Sequence, residues 1–199
     1  MVRAILEGRK TQTRRVLATY QDAVKFCPEW DVNGKQIFIV LGEKDHTGMN
    51  PVITAIPCPF GQPGDRVWVR ETFRVHSRAT DVATLVYRAS VQNSWTEQTH
   101  RVPVAVCNKP ATPEKWTPSI HMPRWASRIT LEITGVRVER LNSITESDAE
   151  AEGVTDTGFG DLLVDGYRYL WKSIYGEESW AANPWVWVIE FKRVEGGAA

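Results

Sequence analysis

Cysteine is scarce in this chain of 199 residues, and its three copies, Cys27, Cys58 and Cys107, are an odd number at wide spacing. Secreted domains held by disulfides usually carry even sets of cysteines, so the sequence predicts no disulfide framework and a reduced, cytoplasmic setting. The four histidines show no close ligand spacing with one another or with the cysteines. No metal site is therefore expected.

Long apolar runs and an excess of one charge are also absent. The only apolar stretch near the start, residues 2–6, is far shorter than the ~20 residues that a membrane-spanning helix needs, and it does not resemble a signal peptide. No membrane partner is expected. The 24 basic and 24 acidic residues give a net charge of zero. This argues against a protein that binds nucleic acid mainly through a large net positive charge.

The charges are nevertheless unevenly placed along the chain. Residues 1–15 hold five basic side chains against one acidic one, whereas residues 146–165 hold seven acidic side chains, including Asp156 and Asp161. Two readings stay open at this point. The two segments could form one polar ligand site, or they could be two separate solvated faces.

Most of the chain has the pattern of β-strands. Short runs rich in β-branched and aromatic residues alternate with polar positions and are bounded by glycine and proline turns. Residues 36–41 and 52–56 are predicted to form a hairpin, and residues 185–194 a strand whose apolar first half is buried on both faces. The other predicted strands are 66–75, 83–88, 101–107 and 128–141.

Two helices interrupt this pattern. Thr145 followed by Asp148 makes a capping box for a short acidic helix over about 145–152, and Gly153 suits its end. Apolar residues at helical spacing predict a second helix over 162–175. The expected fold is mostly β with helices (α+β), a small barrel with two or three packed helices. It would form a single domain over 1–194, with a disordered tail at 195–199.

The most informative segment is Gly8–Arg15, with the sequence GRKTQTRR. A short apolar helix runs into Gly8, which suits the left-handed position just beyond a helix end. Thr11 and Thr13 at alternate positions then indicate the start of a strand. Lys10 and Thr13 are therefore predicted to lie at a corner between helix and strand, where an amine and a hydroxyl can converge on one ligand.

The order of motifs resembles the ASCH domain, a family with a PUA-like β-barrel related to domains that bind RNA and modified bases. The resemblance rests on the G-x-K-T-x-T-x-R segment, the turn Gly64–Asp65 into Arg66–Val69, the acidic and aromatic helices, and a final V-I-E-F strand. Residues 116–129 also resemble members encoded by phages. Relative to the shortest members, 18–60 and 76–118 are insertions. A strand usually precedes the first helix in that family, so either the barrel lacks this strand or the true start lies upstream of Met1.

Within that family, the resemblance to N4-acetylcytidine amidohydrolases implies hydrolysis of an acyl amide on the exocyclic N4 of cytidine or a related nucleoside, without a cofactor. It implies Lys10 as base, Thr13 as nucleophile or water-orienting hydroxyl, and Glu152 as acid. A shift of register in the acidic helix would exchange Glu152 for Glu146 or Glu150. A lysine acts as a base only if burial or neighbouring cations lower its pKa.

Four further residues are candidates for binding the substrate. Arg9 and Arg15 would supply positive charge, and Trp68 and Trp125 could stack on a base. The expected partner is a modified nucleoside or RNA. A second hypothesis is that the same basic segment, residues 1–15, belongs to a module that binds RNA or a modified base without catalysis. A ribonuclease would be intermediate between these two hypotheses.

Overall fold

A computed structural model describes residues 1–155 and 162–194 of the chain. Asp156 and Asp161 of the acidic segment and the predicted disordered tail at 195–199 lie outside the described residues. The described helices are α1 (Val2–Leu6), α2 (Trp95–Gln98), α3 (Glu146–Ala151), α4 (Leu163–Tyr175) and α5 (Glu178–Ala181). The strands are β1 (Gln12–Val16), β2 (Lys25–Trp30), β3 (Gln36–Leu41), β4 (Val52–Pro57), β5 (Arg66–Trp68), β6 (Phe73–Arg78), β7 (Val82–Tyr87), β8 (Thr99–Pro103), β9 (Thr130–Arg140) and β10 (Trp185–Val194).

The predicted class, mostly β with a few short helices, is confirmed. The strands form three sheets, one of which curls into a half-barrel. None of the helices in the described ranges is long and apolar enough to cross a membrane.

Contacts divide the chain into two compact units. Of the described residues, the first unit contains 1–6, 66–131 and 193–194, and the second contains 7–65, 132–155 and 162–192. The first predicted insertion, 18–60, supplies the sheet β2–β3–β4 of the second unit, while the second insertion, 76–118, belongs to the first unit. The single domain over 1–194 stays a prediction.

The second unit is organised around β10. This strand pairs antiparallel with β1, so that Thr13 lies opposite Ile189 and Arg14 opposite Val188, and β9 flanks its other edge. Trp187 and Ile189 belong to one buried cluster with residues of β2, β3 and β9, whereas Val186 and Val188 belong to another with residues of α3 and α4. The strand is therefore buried on both faces, as its sequence predicted.

Local capping fixes the two helices of the second unit. The Thr145 hydroxyl accepts a hydrogen bond from the Asp148 N–H at 3.1 Å, and the Asp148 carboxylate accepts one from the Thr145 N–H at 3.1 Å. The Glu146 carboxylate in turn accepts the N–H of Leu163 at 2.7 Å and that of Val164 at 3.3 Å, which satisfies the first amides of α4. The helix α3 is thus tied to the start of α4.

The first unit corrects two of the predicted strands. Its sheet has the order β6–β7–β8 and packs on a core around Phe73, Leu85 and Tyr87. The single strand expected over 66–75 is wrong, because the chain leaves the strand after Trp68 and buries the Glu71 carboxylate against the Arg128 guanidinium, with contacts of 2.9 and 3.0 Å. The strand expected over 101–107 ends at Pro103. There the Pro103 carbonyl accepts hydrogen bonds from the N–H groups of Val106 and Cys107, which form a turn.

Candidate active site

Strand β1 and the end of α3 bring the candidate residues of the second unit together. The Thr11 N–H donates to the Ala151 carbonyl at 2.8 Å, and the Phe191 N–H donates to the Thr11 carbonyl at 2.8 Å. Lys10 forms an isolated antiparallel bridge with Glu152. These backbone contacts hold the residues just before β1 between α3 and β10, although 142 positions separate Lys10 from Glu152.

Lys10 and Glu152 form a buried ion pair. The Lys10 Nζ lies 2.7 Å from the Glu152 Oε2 and donates a second hydrogen bond of 2.9 Å to the Glu152 carbonyl. The side chains are 4% and 2% exposed. Two of the three residues with predicted catalytic roles therefore meet, shielded from water, where their charges interact strongly.

The surroundings of Lys10 lower the pKa of its amine below the ordinary value. Burial is the main cause, because desolvation penalises the ammonium form, and the charges of Arg15 and Arg14 act in the same direction. The Glu152 carboxylate opposes them through its charge and hydrogen bond. The lowered pKa is the condition under which a lysine can accept a proton in catalysis.

Arg14 lies deeper than any other charged group of this site. Its side chain is 0% exposed and lies close to three carboxylates. The Nη1 lies 3.3 Å from the Glu152 Oε1, and the Nη2 lies 2.6 Å from the Glu139 Oε1 and 3.2 Å from the Asp148 Oδ2. Since Lys10 contacts Oε2 of Glu152, the two cations share the two oxygens of one carboxylate.

A second arginine, Arg137, contacts two of the same carboxylates from a more exposed position. Arg137, on β9, contacts Glu139 at 3.1 Å and Asp148 at 2.7 Å, and it also pairs with Glu190. It donates a further hydrogen bond of 3.2 Å to the Gln12 side chain. The carboxylates that hold Arg14 are therefore themselves held in place.

Thr13 lies on the other face of β1. Alternate residues of a strand point to opposite faces, so Gln12 and Arg14 share one face while Thr13 shares the other with Leu17. Its partner across the sheet is Ile189, which belongs to the buried cluster with Trp187. The structure thus brings Lys10 and Glu152 together but does not bring the half-buried Thr13 to their face.

A cleft of about 600 Å³ lies beside the segments that carry the ion pair, but neither Lys10 nor Glu152 is among the residues that line it. Its lining includes Arg9 and Thr11, which flank Lys10 in the chain, and Ala151, which precedes Glu152. The exposed hydroxyls at its wall come from Thr11, Ser147 and Thr155. Pockets of roughly 300–1,000 Å³ hold small organic ligands, so the cleft is large enough for a nucleoside.

The two predicted binding arginines differ in their environments. Arg9 is exposed, pairs with Glu7 through a 2.9 Å hydrogen bond from its Nε, and lies at the wall of the cleft. Arg15 is also exposed, but it lies on the face of β1 opposite to Arg14. Only Arg9 of this pair lines the cleft.

The two predicted stacking residues belong to the first unit. Trp68 packs at the edge of the core of that unit, and the Arg70 guanidinium lies 5.0 Å from its ring centre. Trp125 packs against the same core and meets the Phe73 ring edge-on, with centroids 6.3 Å apart. Neither tryptophan lines the cleft of the second unit.

Sequence reasoning missed the place of two residues. The sequence indicates no role for Arg14 beyond its positive charge, and it places Thr11 only at the start of a strand. The signal that could have found Arg14 is the alternation of β1, because Lys10, Gln12 and Arg14 are spaced two apart and share a face. No comparable signal in the sequence marks Thr11 as part of a cleft.

No protein-family model, no curated protein and no solved structure matches the chain. Within residues 1–155 and 162–194, no three histidine, cysteine, aspartate or glutamate side chains are grouped so that they could hold a metal ion.

Proposed function

We propose that this protein is an amidohydrolase that removes an acyl group from the exocyclic N4 of cytidine or of a related modified nucleoside. The observation that carries the proposal is the buried pair of Lys10 and Glu152, whose neighbours in the chain, Arg9, Thr11 and Ala151, line a cleft of about 600 Å³. The resemblance of the GRKTQTRR segment to ASCH amidohydrolases supports it independently. An ASCH-type, PUA-like barrel is part of the same proposal.

The proposed reaction uses Lys10 as the base. Its neutral amine takes a proton from water as the water oxygen attacks the acyl carbonyl, which forms a tetrahedral intermediate. The bond between the acyl carbon and N4 then breaks, and the lysine returns its proton to the leaving nitrogen. The products are a carboxylate and cytidine, and the remaining proton goes to solvent. In place of the acid role that the resemblance implies, Glu152 stabilises the ammonium form of Lys10 between the two steps.

A threonine hydroxyl would orient the attacking water. Thr13 is the residue that the motif implies, and Thr11 is the threonine that lines the cleft next to Lys10. Both threonines are at an odd spacing from Lys10, and the proposal assigns this role to Thr11 because Thr11 is exposed and lines the cleft whereas Thr13 does not. Replacing each in turn by valine, which removes the hydroxyl but keeps the branched shape, separates the two assignments.

The test is to incubate the protein with N4-acetylcytidine and to measure the cytidine released. Lys10→Met should lower kcat by about 10²–10⁴-fold, the usual contribution of a positioned acid–base group. Lys44→Met, at an exposed position away from the cleft, is the matched control and should keep wild-type activity. Turnover that survives in Lys10→Met with a folded protein would contradict the assigned role.

A second candidate function is binding of RNA or a modified base without catalysis. The observation that favours it is that the Lys10 ammonium is 4% exposed and already donates to two acceptors, as in a purely structural ion pair. This function predicts no release of cytidine. It also predicts binding to RNA that weakens as salt rises, because displaced counterions dominate such binding.

A further inference from the structure

We infer that Arg14 is a positioning residue that holds the Glu152 carboxylate in place and leaves the Lys10 amine free to lose its proton. The catalytic meaning of this inference rests on the proposed function. Its physical content, the control of the Lys10 protonation state by Arg14, does not depend on any substrate.

Glu152 is held by a cation at each of its two carboxylate oxygens. One carboxylate oxygen faces Lys10 at 2.7 Å and the other faces Arg14 at 3.3 Å, so the carboxylate cannot rotate without breaking one contact. When Lys10 gives up its proton, Glu152 still has the guanidinium as a counter-charge. Without Arg14, Lys10 would be the only cation in contact with a buried carboxylate, and it would keep its proton.

Arg14 is itself held by several side chains. Glu139 of β9 and Asp148 of α3 bind its Nη2 at 2.6 and 3.2 Å, and the Tyr167 ring of α4 lies 5.8 Å from its guanidinium carbon. Arg137 neutralises the outer oxygens of the same carboxylates. The guanidinium is always charged at accessible pH, so it remains a fixed positive charge.

Three charged groups shift the pKa of Lys10: Glu152, which follows α3, and Arg15 and Arg14 on β1. Tyr167 of α4 lies against the Arg14 guanidinium. Burial raises the pKa of its phenol, with the Glu152 charge acting in the same direction, so the phenol stays neutral. Of the two arginines, Arg14 is the one that contacts Glu152.

Arg14, not Arg15, is the arginine that contacts Glu152. In the pattern G-x-K-T-x-T-x-R the specified arginine is Arg15, and Arg14 falls at an unspecified position. Arg15 is exposed on the opposite face of β1. The positioning role therefore belongs to a residue that the motif does not specify.

The experiment follows the Lys10 amine directly by ¹⁵N NMR of lysine side chains over pH, with Lys10→Met used to assign its signal. Arg14→Gln should move the Lys10 midpoint to higher pH, and Arg14→Lys, which keeps a charge without the planar fork, should move it less. Arg168→Gln removes an exposed arginine from α4 and should leave the midpoint unchanged. An unchanged midpoint in folded Arg14→Gln overturns the inference.

A folding control is needed because Arg14→Gln leaves three carboxylates without their shared partner. The companion variant Arg14→Gln with Glu139→Gln also removes the carboxylate that binds Arg14 most closely, and it is measured in the same way. Its Lys10 midpoint should also rise. If the double variant is folded and its midpoint stays at the wild-type value, the inference fails.

Kinetics then separate this inference from the proposed function. With N4-acetylcytidine, the limb of kcat that rises with pH should move to higher pH in Arg14→Gln, while KM changes little because the 0% exposed Arg14 cannot touch substrate. A shifted Lys10 midpoint without turnover in any variant refutes the proposed function alone. Turnover whose pH profile is the same in wild type and Arg14→Gln refutes the positioning role alone.

Discussion

Replacing Glu152 by glutamine tests whether the buried ion pair contributes to the stability of the fold. The substitution keeps the shape of the side chain and one oxygen that can accept from the Lys10 amine, but it removes the negative charge 2.7 Å away. Glu152 is 2% exposed, so water cannot replace the lost charge. Arg14 keeps Glu139 and Asp148, so the lost charge falls mainly on Lys10.

The expected loss is about 3 kcal/mol of unfolding free energy near pH 6. Removing one partner of a buried pair commonly costs about 3–5 kcal/mol, and the remaining amide oxygen places this case at the low end. Domains of this size are stable by roughly 5–15 kcal/mol, so the variant should still fold. The loss is large enough to be measured by urea unfolding.

The loss should also depend on pH, and its sign follows from Lys10. Because the pKa of Lys10 is lowered in the folded protein, the unfolded chain binds more protons between that lowered pKa and the ordinary one, and stability rises with pH over this window. In Glu152→Gln the carboxylate charge that raised the pKa of Lys10 is gone, so this pKa is lower still in the folded variant. The pH window in which stability rises therefore extends to lower pH. The deficit relative to wild type should therefore shrink as pH rises through the added part of the window.

The assay is urea unfolding followed by far-UV circular dichroism at several pH values. Hydrogen exchange of the Thr11 amide, which is bonded to the Ala151 carbonyl, reports on the second unit alone. Glu150→Gln, the same chemical change at an exposed position of α3, is the control and should change stability by at most about 0.5 kcal/mol. If Glu152→Gln behaves like that control at every pH, the ion pair does not stabilise the fold as argued.

Two further predictions concern the scaffold of the site. Glu146→Ala should lower stability by about 1 kcal/mol in thermal unfolding, because two amides at the start of α4 lose their carboxylate acceptor, and an unchanged transition would contradict this cap. Gly61→Ala should lower stability by about 1–3 kcal/mol in urea unfolding, because its φ is +115° and an added Cβ would lie 2.9 Å from the Ile133 side chain. A stability equal to wild type would show that the turn can accommodate the methyl group.

The sequence predicted best those elements whose signals are local. The helices α3 and α4 follow from a capping box and from apolar spacing, and their observed bounds, Glu146–Ala151 and Leu163–Tyr175, fall within one residue of the expected ends. Strand β10 was predicted at its observed bounds because the residues of its first half are consecutively apolar, as in a strand that is buried on both faces. Caps and periodicity act over a few residues, so no tertiary contact is needed to find these elements.

The sequence predicted least well those elements that depend on distant partners. No strand was predicted at β2, whose sequence KFCPEW carries Pro28 in its middle, although it pairs with β3 along its whole length. A proline is tolerated there because β2 is the edge of its sheet. Similarly, the break after Trp68 follows from the burial of Glu71 against Arg128, a partner 57 positions away.

The candidate site shows what a motif specifies and what it leaves open. The spacing of three between Lys10 and Thr13 can be read from the sequence, but in an extended chain an odd spacing places two side chains on opposite faces. Arg14, at an even spacing from Lys10, lies beside Glu152 on the face of Lys10. Thr11 and Thr13 are both at an odd spacing from Lys10, and they differ in that Thr11 lines the cleft. The comparison of Thr11→Val with Thr13→Val therefore tests the cleft against the motif. Loss of turnover in Thr11→Val alone places the reacting atoms at the cleft, and loss in Thr13→Val alone places them away from it.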